Sequence, residues 1–227
     1  REEMKQKYNR DLERYRELVT EAHATLKRWC RHSNVEITFE EQSGVAGLVG
    51  SDGPVEINEP FELEAPITVR AEQEGAEMAL AYDLQPTFGF YNQGLTLALL
   101  SDPDEVPARF ANITFKIKSR YLEHTLSRET VLRDENYEKA MSMLEVAADL
   151  VLHPQLVRAL EEVAAAREFG LAEQTRYQLL MSYLLGEPER AILKLGKRPL
   201  LRTVDCGTTS LAAVAEAAVR DGRIFVT

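Results

Sequence analysis

The spacing of apolar residues changes twice along the chain, and these two changes limit the folds that it can adopt. In residues 1–32 apolar side chains recur at intervals of three and four, which indicates one long amphipathic helix. From Asn34 to residue 118 short segments alternate with period two between prolines and glycines, as is typical of strands. Beyond Ser119 the helical spacing returns. The pattern predicts an α+β fold with helices before and after a small antiparallel β domain.

These changes of pattern divide the chain into four expected segments. They are an amphipathic or coiled-coil helix at 1–33, an antiparallel β domain at 34–118, a helical bundle at 119–195 and a tail at 196–227. Within the bundle, His153-Pro154 is expected to separate the first two helices, because a residue before proline avoids helical backbone angles. The tail is expected to form a short β-α-β unit or a winged-helix-like module.

Composition and residue spacing narrow the classes of function. The net charge of −10 argues against a surface that binds nucleic acid throughout, but it allows a local basic patch. No apolar run approaches the roughly 20 residues that span a bilayer, so no membrane partner is expected. The two cysteines, Cys30 and Cys206, are far apart and suggest no disulfide framework, which favours the cytoplasm. No catalytic or metal-ligand spacing is evident, so the sequence predicts no metal, no cofactor and a non-catalytic protein.

The N-terminal helix carries a long and narrow apolar stripe. Such a stripe is buried either by a partner helix or by the helix lying across its own domain, and both interpretations remain open. Pairing would make the chain an oligomer or join it to another protein through residues 1–32. The residues expected to bind that partner are Tyr8, Leu12, Tyr15, Leu18 and Leu26. Trp29 and Cys30 are expected to mark the point where the helix docks on the domain, and His23 and His32 are expected at the surface.

The tail contains a basic segment followed by small hydroxyl residues and an Ala-rich run. The run from Gly207 to Thr227 resembles the turn, recognition helix and wing of a winged helix-turn-helix. That resemblance implies a nucleic-acid contact at 190–210, with Leu211, Val214, Ala215, Ala218 and Val219 facing the core. The implied nucleic-acid-binding residues are Lys197, Arg198, Arg202, Thr208, Thr209 and Ser210. The exposed positions of this helix would be Ala212, Ala213, Glu216 and Ala217, none of which reads bases well, so the module could instead dock on a protein.

The same segment supports a second resemblance. Residues 204–210 resemble the first phosphate loop of the actin, heat-shock chaperone and sugar-kinase superfamily, where a strand ends in Asp-x-Gly-Thr-Thr. The resemblance implies that Asp205 holds a metal ion or its water and that Gly207, Thr208 and Thr209 meet phosphate oxygens. It requires a second strand at residues 211–219, where the Ala-rich composition favours helix. It also requires residues beyond Thr227, so the chain would be a fragment of a longer ATP-binding protein.

A third interpretation makes the tail a β-α-β unit packed on the bundle, with Thr209 or Ser210 capping its helix. Three functions are therefore carried forward. The first is a non-catalytic adaptor or assembly subunit that acts through protein contacts. The alternatives are a nucleic-acid-binding regulator and an ATP-binding fragment. Elsewhere, the aromatic run at 88–92 is expected to pack in a core or hairpin, and the glycines at 43–53 are expected to form hairpin loops rather than a phosphate site.

Overall fold

The chain contains two compact units. A computed structural model describes residues 2–40, 54–127, 130–186 and 195–223. The first unit comprises Arg1–Glu64 and Arg70–Glu145, and the second comprises Ala65–Val69 and Val146–Thr227. The order of elements is a long helix, a central sheet, further helices, a short hairpin and a last helix, which confirms the α+β class. The glycine-rich run at 43–53 and residues 187–194 of the expected helical bundle lie outside the described residues.

Helix α1 begins the first unit and spans Glu2–Cys30, as the apolar spacing predicted. No proline or glycine interrupts it. Lys27 and Arg28 lie in its last turn, where positive charge interacts favourably with the partial negative charge of a helix C-terminus. Among its described residues none is fully buried, so its stability depends on the helix itself and on a one-sided contact.

The five-stranded sheet is mixed rather than antiparallel, so that part of the prediction is wrong. Its order is β3-β4-β7-β5-β6, and β5 pairs with β7 in parallel, whereas β4–β7 and β5–β6 are antiparallel. The strands are β3 (Thr68–Gln73), β4 (Ala76–Tyr82), β5 (Phe88–Asn92), β6 (Leu95–Leu100) and β7 (Ile113–Lys118). A separate two-stranded sheet pairs β1 (Thr38–Phe39) with β2 (Val55–Glu56). Two described parts of the expected β domain, residues 34–37 and 57–67, form no strand.

The parallel pair arises from the connection between β6 and β7. Residues 101–112 contain two single-turn 3₁₀ helices, Pro103–Glu105 and Ala108–Phe110, and they return the chain past β5. Strand β7 therefore enters between β4 and β5 and has neighbours on both sides. Alternation along a strand predicts which face is buried, but it carries no information about such a non-local pairing.

Two two-residue turns close the outer hairpins of this sheet. Glu74-Gly75 joins β3 to β4, with φ of 51° and 76°. Gln93-Gly94 joins β5 to β6, with φ of 49° and 90°. Positive φ at both central residues is the geometry of a type I′ turn, whose twist matches that of the flanking strands.

Aromatic side chains fill the core between this sheet and helix α2 (Glu135–Ala147). Phe115 lies at the centre, with ring centroids of Phe88, Phe90 and Phe110 at 5.2, 5.4 and 5.3 Å. Tyr137 of α2 contacts Phe90 at 5.6 Å. All four phenylalanines are completely buried, which confirms the expected core role of the 88–92 run. Aromatic pairs at these separations stabilise a core beyond the area that they bury.

The helix break expected at His153-Pro154 is wrong. Helix α2 continues through a π-helical segment, Ala148–Leu152, into α3 (His153–Ala164), which gives one joined helix of 30 residues. Proline lacks an N–H, and in a regular α-helix the ring of Pro154 would clash with the carbonyl of Leu150. The wider turn, in which His153 N–H bonds to the Ala148 carbonyl, accommodates that ring.

The second unit is completed by a helix, a hairpin and a last helix. Helix α4 spans Leu171–Gly186 and contacts α3, where Tyr183 hydroxyl lies 2.9 Å from His153 Nδ1. Strands β8 (Leu201–Arg202) and β9 (Thr208–Thr209) form an antiparallel hairpin, and helix α5 spans Leu211–Asp221. The strand expected after α5 falls on residues of which only Arg223 is described. No helix in the described ranges is both long and apolar enough to cross a membrane.

Candidate functional site

The N-terminal half of α1 exposes large apolar side chains. Every described residue from Glu2 to Asp11 is exposed. Met4 is 73% exposed, Tyr8 52% and Leu18 55%. Exposed apolar side chains at the spacing of one helix face are typical of a surface that another molecule covers. Of the predicted partner-binding residues, the structure therefore leaves Tyr8 and Leu18 open to solvent.

The remaining predicted partner-binding residues, Leu12, Tyr15 and Leu26, are half-buried. They belong to a stripe whose members are each half-buried: Leu12, Tyr15, Val19, His23, Leu26 and Cys30. These positions span 18 residues in five turns, which is the ordinary period of a straight α-helix. A strict heptad would instead bury Ala22, and Ala22 is exposed. Beyond Val19 the half-buried face therefore follows the geometry of a helix lying on its own unit, whereas Leu12, Tyr15 and Val19 fit both periods.

The last turns of α1 dock on the sheet, as Trp29 and Cys30 predicted. Thr96 of β6 donates its hydroxyl to the Arg28 carbonyl at 2.7 Å. The His23 ring contacts Phe39 at 5.6 Å, and the Trp29 ring contacts His124 at 6.3 Å. Docking is thus concentrated in the C-terminal third of α1.

His32, just beyond α1, is 4% exposed, so its expected position at the surface is wrong. Its Nδ1–H donates to the Glu59 carbonyl at 3.0 Å, and its Nε2 accepts from Lys116 Nζ at 3.1 Å. Lys116 also donates to the Glu62 carbonyl at 2.8 Å. A lysine ammonium has no lone pair, so this arrangement fixes the imidazole as the neutral tautomer with its proton on Nδ1.

The electrostatics of the cluster agree with that tautomer. Burial lowers the pKa of His32 to about 4; the hydrogen bond to Glu59 opposes this shift, and the charges of Lys116 and Arg31 reinforce it. Burial also lowers the pKa of Lys116, and Arg31 acts in the same direction. Both ring nitrogens of His32 are occupied, so neither is available as a base. The cluster holds the end of α1 and the 59–62 segment on the sheet.

Tyr91 completes this cluster on the same face of the sheet. The His32 ring meets Tyr91 edge to face at 5.0 Å and Phe61 at 5.3 Å. Tyr91 is fully buried, its hydroxyl has no hydrogen-bond partner among the described atoms, and burial raises its pKa to about 12. The ring folds back over Gly89, where a Cβ would lie 2.7 Å from the nearest ring atom. Gly89 therefore makes room for Tyr91.

Arg198 and Arg202, two of the predicted nucleic-acid-binding cations, are occupied by contacts within the second unit. Arg198 forms a bidentate pair with Glu161 of α3, with N–O distances of 2.6 and 2.5 Å. Arg202 donates to the carbonyls of Ala164 and Ala166 at 3.0 and 2.6 Å. Its guanidinium also lies 4.3 Å from the ring centre of Phe169. These contacts fasten the hairpin to the C-terminal end of α3.

Lys197 remains exposed, and the first two basic residues of the expected 190–210 contact, Arg190 and Lys194, lie outside the described residues. Among the described residues of the 190–210 segment, Arg198 and Arg202 are held by contacts within the protein, and Lys197 is open to solvent. Fork-like guanidinium contacts to carboxylate and carbonyl groups are strong and leave few donors free for phosphate.

The hydroxyl residues and Asp205 organise the hairpin and the start of α5. Ser210 is the N-cap of α5, and its Oγ accepts from the Ala213 N–H at 3.2 Å, as the capping interpretation predicted. Asp205 accepts from the Thr203 hydroxyl at 2.5 Å. That bond, together with the Gly207 backbone N–H, lowers the pKa of Asp205. Thr208 is exposed and Thr209 half-buried, and both belong to β9.

Helix α5 bears on both family resemblances in the tail. The phosphate-loop resemblance requires a strand at 211–219, and the structure has a helix there. The winged-helix resemblance requires a second helix before the Gly207 turn, and the structure has β8 there. The predicted core face is also rotated, since Leu211, Ala215 and Val219 are exposed. The Ala212 N–H donates to the Gly196 carbonyl at 2.8 Å, so the Ala212 side of the first turn of α5 faces the preceding segment.

A cleft of about 240 Å³ lies beside α2 in the first unit. The ion pair of Glu74 and Lys139, 2.5 Å apart, forms part of its wall. The hydrogen bond to Glu74 raises the pKa of Lys139. The other lining residues are Ala76, Ser119, Tyr121, Asn136, Ala140 and Met143. This mixed wall specifies no particular ligand.

Neither the search for metal-ligand geometry nor the comparison with known proteins assigns a function to the chain. Within the described ranges, no group of three or more His, Cys, Asp or Glu residues is placed to hold a metal ion. Cys30 and Cys206 are free thiols. No protein-family model matches the chain, and no curated protein matches it.

Proposed function

We propose that the chain is a non-catalytic adaptor or assembly subunit that acts through protein–protein contacts made by α1. The observation that carries the proposal is the difference between the two ends of this helix. Its C-terminal third is fastened to the sheet through Arg28, Trp29 and the residues around His32, whereas its first two and a half turns are exposed at every described position. One end is anchored, and the other is presented to solvent.

An exposed helix of this length needs a reason to remain ordered. Isolated helices shorter than about 12–15 residues are marginal in water, and most helix stability in proteins comes from packing of an apolar face. Met4 and Tyr8 supply such a face on the exposed segment. A partner that covers them would contribute about 25 cal/mol for each Å² of apolar surface removed from water.

The nucleic-acid alternative receives less support. Its two arginines, Arg198 and Arg202, already bind groups of the second unit, and a phosphate would have to compete with Glu161 for Arg198. It remains a prediction whose direct test is the salt dependence of binding to duplex DNA, compared between the wild-type chain and Lys197→Glu.

A site-specific photo-crosslinking experiment tests the proposed function. A photoreactive phenylalanine derivative replaces Tyr8 in the full chain, and the matched control places it at Arg14, a charged and exposed position on another face of α1. Irradiation in cells of the native host is followed by mass spectrometry of the adducts. We expect one dominant protein adduct at position 8, suppressed by excess unlabelled chain, and none at position 14. Equal labelling at both positions, or no protein adduct at position 8, would overturn the proposal.

A further inference from the structure

The N-terminal half of α1 has a heptad register that its C-terminal half does not. Assigning Tyr8 to position d places Leu12 and Val19 at a and Tyr15 at d. Met4 and Leu18 then lie at g, directly beside the a/d positions. This register explains why Leu18 is apolar although it is 55% exposed on the unit itself. In a coiled coil, a g residue covers the edge of the apolar seam.

The charged residues beside this seam are complementary for one arrangement only. Asp11 lies at g and Arg16 at e, five residues later, and both are exposed. In a parallel, in-register pair, a g residue faces the e residue five positions later on the partner helix. Asp11 of each copy would therefore meet Arg16 of the other, twice by symmetry. An antiparallel pair would place g opposite g and e opposite e, which brings no Asp11–Arg16 contact.

Within the described residues, neither the Asp11 nor the Arg16 side chain takes part in an ion pair. Several other charged residues of the first unit, such as Lys27 and Glu59, do pair with each other, at 3.2 Å. The two charges that flank this seam are thus available to a partner.

We infer that residues 8–19 of α1 bind the same residues of a second copy of this chain, parallel and in register. The inference rests on the proposed function and specifies its partner. The seam consists of Tyr8, Leu12, Tyr15 and Val19, and the g–e pairs of Asp11 and Arg16 fix its orientation. The docked residues beyond His23 lie outside the seam, because their half-buried face follows the unit's own sheet.

The test uses two charge reversals in the full chain, Asp11→Arg and Arg16→Asp, alone and mixed. Sedimentation equilibrium of the wild-type chain is expected to show a mass of twice 25.6 kDa. Each reversal alone places like charges opposite each other and should weaken self-association roughly ten-fold. An equimolar mixture should form a heterodimer as tightly as the wild type, because both g–e pairs become attractive again. Arg14→Asp makes the same change of charge as Arg16→Asp, but at position c, away from the seam. This control variant should sediment with the same mass as the wild type.

The outcomes separate this inference from the proposed function. Recovery in the mixture supports a parallel self-pair, and a mixture that associates no better than either variant overturns it. A wild-type chain that stays at 25.6 kDa also overturns it. If position 8 then crosslinks to a different protein, the proposed function stands with that protein as its partner, and if it crosslinks to nothing, both fail. Circular dichroism of each variant confirms that α1 has folded.

Discussion

Replacing Gly94 with alanine tests how closely the β5–β6 turn approaches the end of α1. A Cβ at Gly94 would lie 1.7 Å from the His32 carbonyl oxygen and 2.5 Å from the Ser33 Cα. Both atoms belong to the backbone, so they cannot move aside by a rotamer change. The clash can be relieved only if the β5–β6 turn moves away from the end of α1. That movement also stretches the hydrogen bond from the Thr96 hydroxyl to the Arg28 carbonyl.

The expected loss can be assembled from three contributions. A φ of 90° strains an L-residue by about 1 kcal/mol, and forced separation of packed atoms adds about 1–3 kcal/mol. Loss of the Thr96 hydrogen bond adds about 1 kcal/mol. We expect Gly94→Ala to lower the free energy of unfolding by about 3–5 kcal/mol. Gly75→Ala is the matched control, since Gly75 has a φ of 76° in the same type of turn and nothing within 4 Å of its Cβ position. It should lose only about 1 kcal/mol.

Urea unfolding followed by tryptophan fluorescence measures both variants. Trp29 is the only tryptophan of the chain and lies in the last turn of α1, so it reports on the first unit. Equal losses for the two variants, within about 0.5 kcal/mol, would refute the close approach of the turn to His32. A large loss for both would instead mean that backbone strain, rather than contact with α1, dominates.

Three further perturbations have outcomes set by single contacts. His32→Gln removes a group whose pKa falls from 6.5 to about 4 on folding, so between these pH values the imidazole is protonated in the unfolded chain and neutral in the folded one. The free energy of unfolding of the wild type should therefore fall by on the order of 3 kcal/mol from pH 6.5 to 4. Urea titrations at each pH should show a smaller fall in the variant. Ser210→Ala removes the N-cap bond of α5 and should lower stability by about 1 kcal/mol, while Ser210→Asp should retain it, as measured by amide exchange in α5. Arg202→Lys cannot reach both carbonyls and stack on Phe169 together, so thermal unfolding should show a loss of about 1–2 kcal/mol.

Elements whose signals are local could be predicted from the sequence. The spacing of Leu12, Leu26 and their neighbours predicted α1, and the Ala-rich run favoured helix at α5. The continuity of the helix across Pro154 also has a local sign that is easily overlooked. Apolar residues at 144, 148, 152, 156 and 160 recur at intervals of four on both sides of the proline, so one apolar face continues past it. That continuity, rather than Pro154 alone, favours a continuing helix over a broken one.

Features that depend on distant partners could not be predicted. Nothing near His32 indicates that Lys116, 84 residues away, bonds its ring. The basic residues Arg198 and Arg202 formed an apparent patch because the acceptors at 161, 164 and 166 are remote in sequence. Likewise, the alternation in β7 predicted a strand, but its parallel neighbour β5 follows from the path of residues 101–112.

The attachment of α1 has a consequence for the order in which the chain folds. The helix closes its hydrogen bonds within a few residues, so it can form as soon as it is synthesised. The groups that anchor it, Thr96 and Lys116, lie 68 and 84 residues later than their partners. Closing loops of this length is slow compared with helix formation, so docking of α1 should be a late step. During translation the apolar face of α1 therefore remains uncovered until β7 has left the ribosome, and a neighbouring nascent copy could reach it before the sheet does.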